Sequence, residues 1–149
     1  MPLLLTAPLD LLGDPARFDL ATAVNTGDFT QLPLLKEPLG SSIMQVLQSR
    51  GSALVQRMGK GVEVSSLALQ LALSQAGVGV AVVSALGASH PQASGLQFVP
   101  LKPAMQRAVF MMQRRDRELN PSARAFANAV RSGLIQAVLH GSVQLAEVE

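Results

Sequence analysis

Between Val62 and Ser84 the chain reads Val-Glu-Val, Ser-Ser, Leu-Ala-Leu-Gln-Leu-Ala-Leu-Ser-Gln-Ala, Gly, then Val-Gly-Val-Ala-Val-Val-Ser. This order predicts a short strand, a helix and a second strand in immediate succession. Ser65 or Ser66 is placed to cap the helix, because a serine oxygen accepts an N–H that a helix start leaves unbonded. Leu67, Leu69, Leu71 and Leu73 are good helix formers. Gln70, Ser74 and Gln75 form a narrow polar stripe that leaves most of the circumference apolar, so burial on one side and cover on the other are expected. Gly77 suits the left-handed turn of a helix end. Val78 to Val83 is the continuous apolar run of a strand covered on both faces. The stretch predicts half of an α/β unit.

The flanks extend this pattern. Leu11-Leu12-Gly13 reads as a helix end, Phe18 to Val24 as a buried strand, and Asn25 to Asp28 as a turn. Leu32 to Leu39 is extended, because Pro33 and Pro38 exclude a helix interior. Ser41 or Ser42 caps a helix that carries Ile43, Val46 and Leu47 on one face and stops at Gly51. Ser52 to Gly61 fits the end of that helix or a new strand, with Gly59-Lys60-Gly61 turning. Ser84 to Ser94 is a loop. Gly95 to Leu101 and Arg107 to Gln113 are strands, joined by Arg114 to Glu118 to a last helix. There Asn120 caps and Pro121 takes the first position, where a missing N–H matters least. Its apolar stripe is Ala123, Phe126, Ala127, Val130, Leu134 and Ala137, with Gly141 as the stop.

Composition narrows the chemistry. With 149 residues, 48% of them hydrophobic, a single-domain core is within reach, and it is aliphatic: Trp and Tyr are absent. Without Cys there is no disulfide, thiolate or Cys metal site. His90 and His140 have no neighbouring ligands at metal spacing, so no metal and no cofactor is expected. No serine sits in a nucleophile elbow, and Gly77-x-Gly79 lacks the strand before it and the third glycine of a dinucleotide cradle. The net charge of +2 is small. The arginines from Arg114 to Arg131 are offset by Asp116 and Glu118 and read as a solvated face. The apolar N-terminus lacks a basic start, and no run reaches the ~20 residues needed to span a bilayer. Neither a secretory leader nor a membrane partner is expected, and the cytoplasm is the expected location.

Asp19-Leu20-Ala21, Leu32-Pro33-Leu34-Leu35-Lys36-Glu37-Pro38-Leu39, Val64-Ser65-Ser66, Gly77-Val78-Gly79-Val80-Ala81-Val82 and Gly95 to Leu101 follow one another in a familiar order. With Arg107 to Gln113 and Leu119 to Phe126 they resemble the effector-binding domain of LysR-type transcriptional regulators, from about Leu11 to Leu134. The resemblance implies an α/β fold of the type II periplasmic-binding-protein kind, a mixed sheet with flanking helices in two lobes. It also implies a small effector, anionic by expectation, in an interlobe cleft, a homo-oligomer, and bacterial transcription regulation rather than catalysis.

The family's winged helix-turn-helix has no counterpart in these residues, so no DNA contact by this chain itself is expected. Parts of both lobes are missing as well. The expectation is one truncated effector-binding domain over 1–149, two incomplete lobes with the second at about 40–100. Ser65 and Ser66 are the leading effector-binding candidates, because a helix start offers free N–H groups to an anion. Asn25 and Thr26 follow at the end of an expected strand, where open α/β sheets bind ligands. No catalytic residue is assigned. A transporter's solute-binding protein, a small α/β enzyme and a remnant without activity of its own stand as alternatives.

Overall fold

The computed structural model describes residues 3–51, 53–58, 60–139 and 144–145. The chain divides into two units: the larger runs Pro8–Arg107, and the smaller is made of the chain before and after it.

The order of elements is β1 (Leu3–Gly13), α1 (Leu20–Thr26), β2 (Leu34–Lys36), α2 (Ser42–Ser49), α3 (Ala53–Met58), β3 (Val62–Glu63), α4 (Leu67–Gln75) and β4 (Val80–Ser84). Two short 3₁₀ turns, Ala85–Ser89 and Pro91–Ala93, lead to β5 (Gln97–Pro100), β6 (Gln106–Phe110), α5 (Pro121–Leu139) and β7 (Gln144–Leu145).

In the larger unit the strands lie in the order β3-β2-β4-β1-β5. β2 is parallel to β3 and to β4, while β1 runs antiparallel to β4 and β5, with Leu11 opposite Val82 and Val99. Alternation along each strand divides the core between two faces. Leu9, Leu11, Leu34, Val80 and Val82 pack with Leu20 and Val24 of α1, Ile43, Met44 and Leu47 of α2, and Leu54 and Met58 of α3. Leu12, Leu35, Ala81 and Val83 turn the other way, toward Leu71 of α4, Val64 and Ala93. This is an α/β fold, a mixed sheet with flanking helices. The five residues of β4 are all buried, as their unbroken apolar run requires. In the smaller unit β1 pairs with β7 through Leu5 and Leu145, and Asn120 Oδ1 caps α5 by accepting from Ala123 N at 2.8 Å.

Several expectations are corrected. Leu11-Leu12-Gly13 ends a strand rather than a helix. At Leu11-Leu12 both side-chain directions are apolar, and such a stretch has no period to separate it from a buried helix. In place of the strand expected at Phe18 to Val24, Leu20–Thr26 is a helix capped by Asp19. Leu20, Ala23 and Val24 have helical spacing and are buried, Asp19 Oδ1 accepts from Thr22 N at 3.1 Å, and Gly27 closes the helix at φ 71°. Asn25 and Thr26 therefore belong to a helix end, not to a turn after a strand. Ser52 to Gly61 resolves in its described residues as α3.

α4 is turned the opposite way from its polar stripe. Gln70 and Ser74 are buried beside Leu71, at 1%, 0% and 0% exposed, whereas Leu67 and Leu69 are 40% and 50% exposed. Short connections to β3 and β4 set the rotation of a nine-residue helix more strongly than its weak asymmetry does. Gln75 Nε2 adds a tie, donating to Gln92 O at 2.6 Å. On α5, Ala127 is buried but Phe126 is 71% exposed, so the expected stripe is narrower than drawn. Gly59, His140 and Gly141 lie outside the described residues, as does the side chain of Ala137.

Candidate functional site

The parallel strands β2 and β4 end side by side, at Lys36 and Ser84. The chain leaves β2 toward α2, leaves β3 toward α4, and leaves β4 into the first 3₁₀ turn. Ser41 caps α2 by accepting from Met44 N at 3.2 Å, and Ser66 caps α4 by accepting from Leu69 N at 3.4 Å. Each cap satisfies one of the N–H groups that a helix start leaves open, and others remain. The carboxyl end of a parallel sheet is where such folds leave a crevice, because the connections part there.

A cavity of about 240 Å³ occupies this position. Ile43 and Leu67, from the first turns of α2 and α4, line it with Val83 and Leu86. Its polar lining is Glu37, Ser84, Ser89, His90 and Arg107. The Nδ1 of His90 accepts from Gln92 N at 3.1 Å, which leaves Nε2 to carry the proton. Ser84 Oγ accepts from Leu86 N at 3.3 Å. Glu37 and Arg107 are half-buried, and among the described residues neither side chain makes a hydrogen bond or an ion pair. The cavity therefore carries an open guanidinium, an open carboxylate and a ring N–H over an apolar floor. It can hold a small polar molecule. No hydrogen bond joins Ser84 to His90, so the lining lacks an activated nucleophile.

Ser65 and Ser66 are exposed at the same end of the sheet, directly before Leu67 in the cavity wall. The cap is Ser66 alone. Asn25 and Thr26 are elsewhere, on the face of the sheet opposite α4. Lys102 Nζ donates to Asn25 Oδ1 at 2.7 Å, and Thr26 Oγ1 donates to Thr22 O at 2.8 Å. Thr26 borders a second, more open groove of about 310 Å³ along α1, with Arg17, Asp19 and Asp28. There hydrogen bonds from Thr22 and Thr30 hold Asp19 and Asp28 below the usual carboxylate range, and Arg17 pairs with Asp14 at 3.3 Å. Among the cavities lined by described residues, none is lined by all four candidates.

Glu37 and Arg107 do not stand out in the sequence. Only Glu37 has a positional signal, as the first residue past β2; Arg107 is the second residue of β6. His90 is a donor beside a cavity and not part of a metal group; among the described residues no three His, Asp or Glu side chains gather. Arg114 is held by both oxygens of Asp116, at 2.9 and 2.6 Å, which keeps that carboxyl below its ordinary range. No helix among the described residues is long and apolar enough to cross a membrane.

Residues 2–135 match the family model of the LysR substrate binding domain. No curated protein matches the chain. Among solved structures, the reduced form of OxyR from N. meningitidis aligns with a TM-score of 0.61 at 16% identity, covering 97% of this chain and 66% of that one. The effector domain of AmpR from Pseudomonas aeruginosa aligns at 0.62 and 18%, covering 93% and 68%. The Synechocystis CcmR regulatory domain, in complex with 2-PG, aligns at 0.59 and 14%, covering 88% and 64%. At such identities the likeness is one of fold, and the chain spans about two thirds of the length of each.

Proposed function

The chain belongs to the LysR substrate binding domain family, and on that footing we propose that it is an effector-binding regulatory module whose site is the cavity at the carboxyl ends of β2 and β4. The observation that carries this reading is Arg107, which lines a small cavity and whose guanidinium has no partner among the described residues. A half-buried charge without a partner is costly, and a bound anion removes that cost. The ligand is a small metabolite, since about 240 Å³ falls below the ~300 Å³ at which clefts for drug-sized ligands begin. The CcmR structure was solved with a small molecule, which supports the same use of the fold.

Ser65 and Ser66 adjoin this site and are its outer contacts. Asn25 and Thr26 are engaged within the protein and take no part in this reading. The family is one of effector-binding domains, and the role in this reading is binding rather than catalysis. The module works in the cytoplasm as a homo-oligomer joined through the exposed Leu67 and Leu69 face of α4. Contact with DNA falls to a winged-helix domain rather than to these residues.

The test is a thermal-shift and calorimetric panel of small carboxylates and phosphates, run on the purified chain and on Arg107→Ala. At least one acid is expected to bind, with affinity falling roughly tenfold or more in the variant, the order of one charge-assisted bond. Equal affinity for both proteins would reject the site.

A further inference from the structure

Glu37 is a second feature of this cavity, and a simple anion does not explain it. Glu37 lines the same cavity as Arg107, is half-buried, and forms no ion pair with Arg107, with His90 or with any other described residue. An anion alone would satisfy the guanidinium and leave a carboxylate facing it, which costs both the repulsion and the desolvation of Glu37. A ligand with both charges removes each penalty at once. The remaining wall, Ile43, Leu67, Val83 and Leu86, is wholly aliphatic.

Resting on the reading of this cavity as the effector site, we infer that the effector is a small zwitterion: a free amino acid with an aliphatic side chain. Arg107 takes its carboxylate, aided by the His90 Nε2–H. Glu37 takes its ammonium group, and the aliphatic wall takes the side chain. The cavity is too small for a peptide or a nucleotide. The hydroxyls of Ser84 and Ser89 keep lone pairs for the remaining ammonium hydrogens.

The experiment compares ligands that differ by one charged group. Isothermal titration uses L-leucine, L-isoleucine, L-valine and L-methionine, with 4-methylpentanoate lacking the ammonium and 3-methylbutylamine lacking the carboxylate. At least one amino acid is expected to bind roughly tenfold or more tightly than both single-charge analogues. Glu37→Gln is expected to erase the advantage over 4-methylpentanoate while leaving binding of that acid unchanged or improved. An acid that binds as well as its amino acid, or an advantage that survives Glu37→Gln, would overturn the inference. So would the failure of every amino acid in the panel to bind. The ratio measured on the unaltered chain stands even if the variant folds poorly. Arg107-dependent binding of an acid without the amino-acid preference would sink the zwitterion alone, whereas binding insensitive to Arg107→Ala would sink the site.

Discussion

Asp10 offers the sharpest test of the core. It stands in the middle of β1, opposite Val83 on one side and Pro100 on the other, and is 6% exposed. Its Oδ1 has no hydrogen-bond partner. Burial among apolar neighbours disfavours the charged form and raises the carboxyl from 3.8 to about 6. That displacement corresponds to about 3 kcal/mol of extra cost for ionising Asp10 in the fold. Residual solvent contact reduces the expectation to about 2 kcal/mol. The sign follows from proton counts: between the two pKa values the folded state holds a proton that the unfolded chain has lost. The contribution of Asp10 is therefore fully present below about pH 4 and is lost as pH rises through about 6.

Asp10→Asn keeps the shape and removes the charge. Urea denaturation of both proteins from about pH 4 to pH 8 isolates the effect, because other titrating groups cancel in the difference. The variant is expected to gain on the parent as pH rises, reaching an advantage of about 2 kcal/mol above pH 7 and little near pH 4. A difference that stays flat across this range would show that Asp10 is not the buried, unpartnered acid described here.

Leu71 of α4 is fully buried while Leu69, two residues earlier, is half exposed. Leu71→Ala is expected to lower stability by about 2–5 kcal/mol and Leu69→Ala, at concentrations where the chain is monomeric, by no more than about 0.5, measured by the same denaturation. Ser66→Ala removes the α4 cap and should cost about 1 kcal/mol, whereas Ser65→Ala should leave stability unchanged. Gly79→Ala would bring a Cβ within 2.7 Å of Pro33 O, which is already held by Val80 N. The backbone there has nowhere to move, and a loss of about 1–3 kcal/mol in thermal or chemical melts is expected.

The sequence speaks most clearly where local chemistry and tertiary demand agree. Ser41, Ser66 and Asn120 cap the helices that follow them, Gly77 takes φ 73°, and Val80 to Ser84 is a fully covered strand. It misleads where a run is apolar on every side. The direction of Gln70 and Ser74 is set by how α4 is tied to the sheet, which no periodicity in nine residues reveals. β1 and α1 were exchanged for a related reason: Leu11-Leu12 has no alternation, while Asp19 and Gly27 mark a helix that β-branched and aromatic residues disguise as a strand. Ser65 and Ser66 could be found from a helix start alone. Glu37 and Arg107 could not, because they are 70 residues apart in the chain and only the folded chain brings them to one cavity.

The central claim is the position of the ligand site, and amide chemical-shift mapping tests it most directly. The isotope-labelled chain would be titrated with L-leucine and, separately, with 4-methylpentanoate. Perturbations are expected to gather at Glu37, at the first turns of α2 and α4, from Ser84 to His90, and at Arg107. Shifts gathered instead along α1, from Arg17 to Asp28, would contradict the claim.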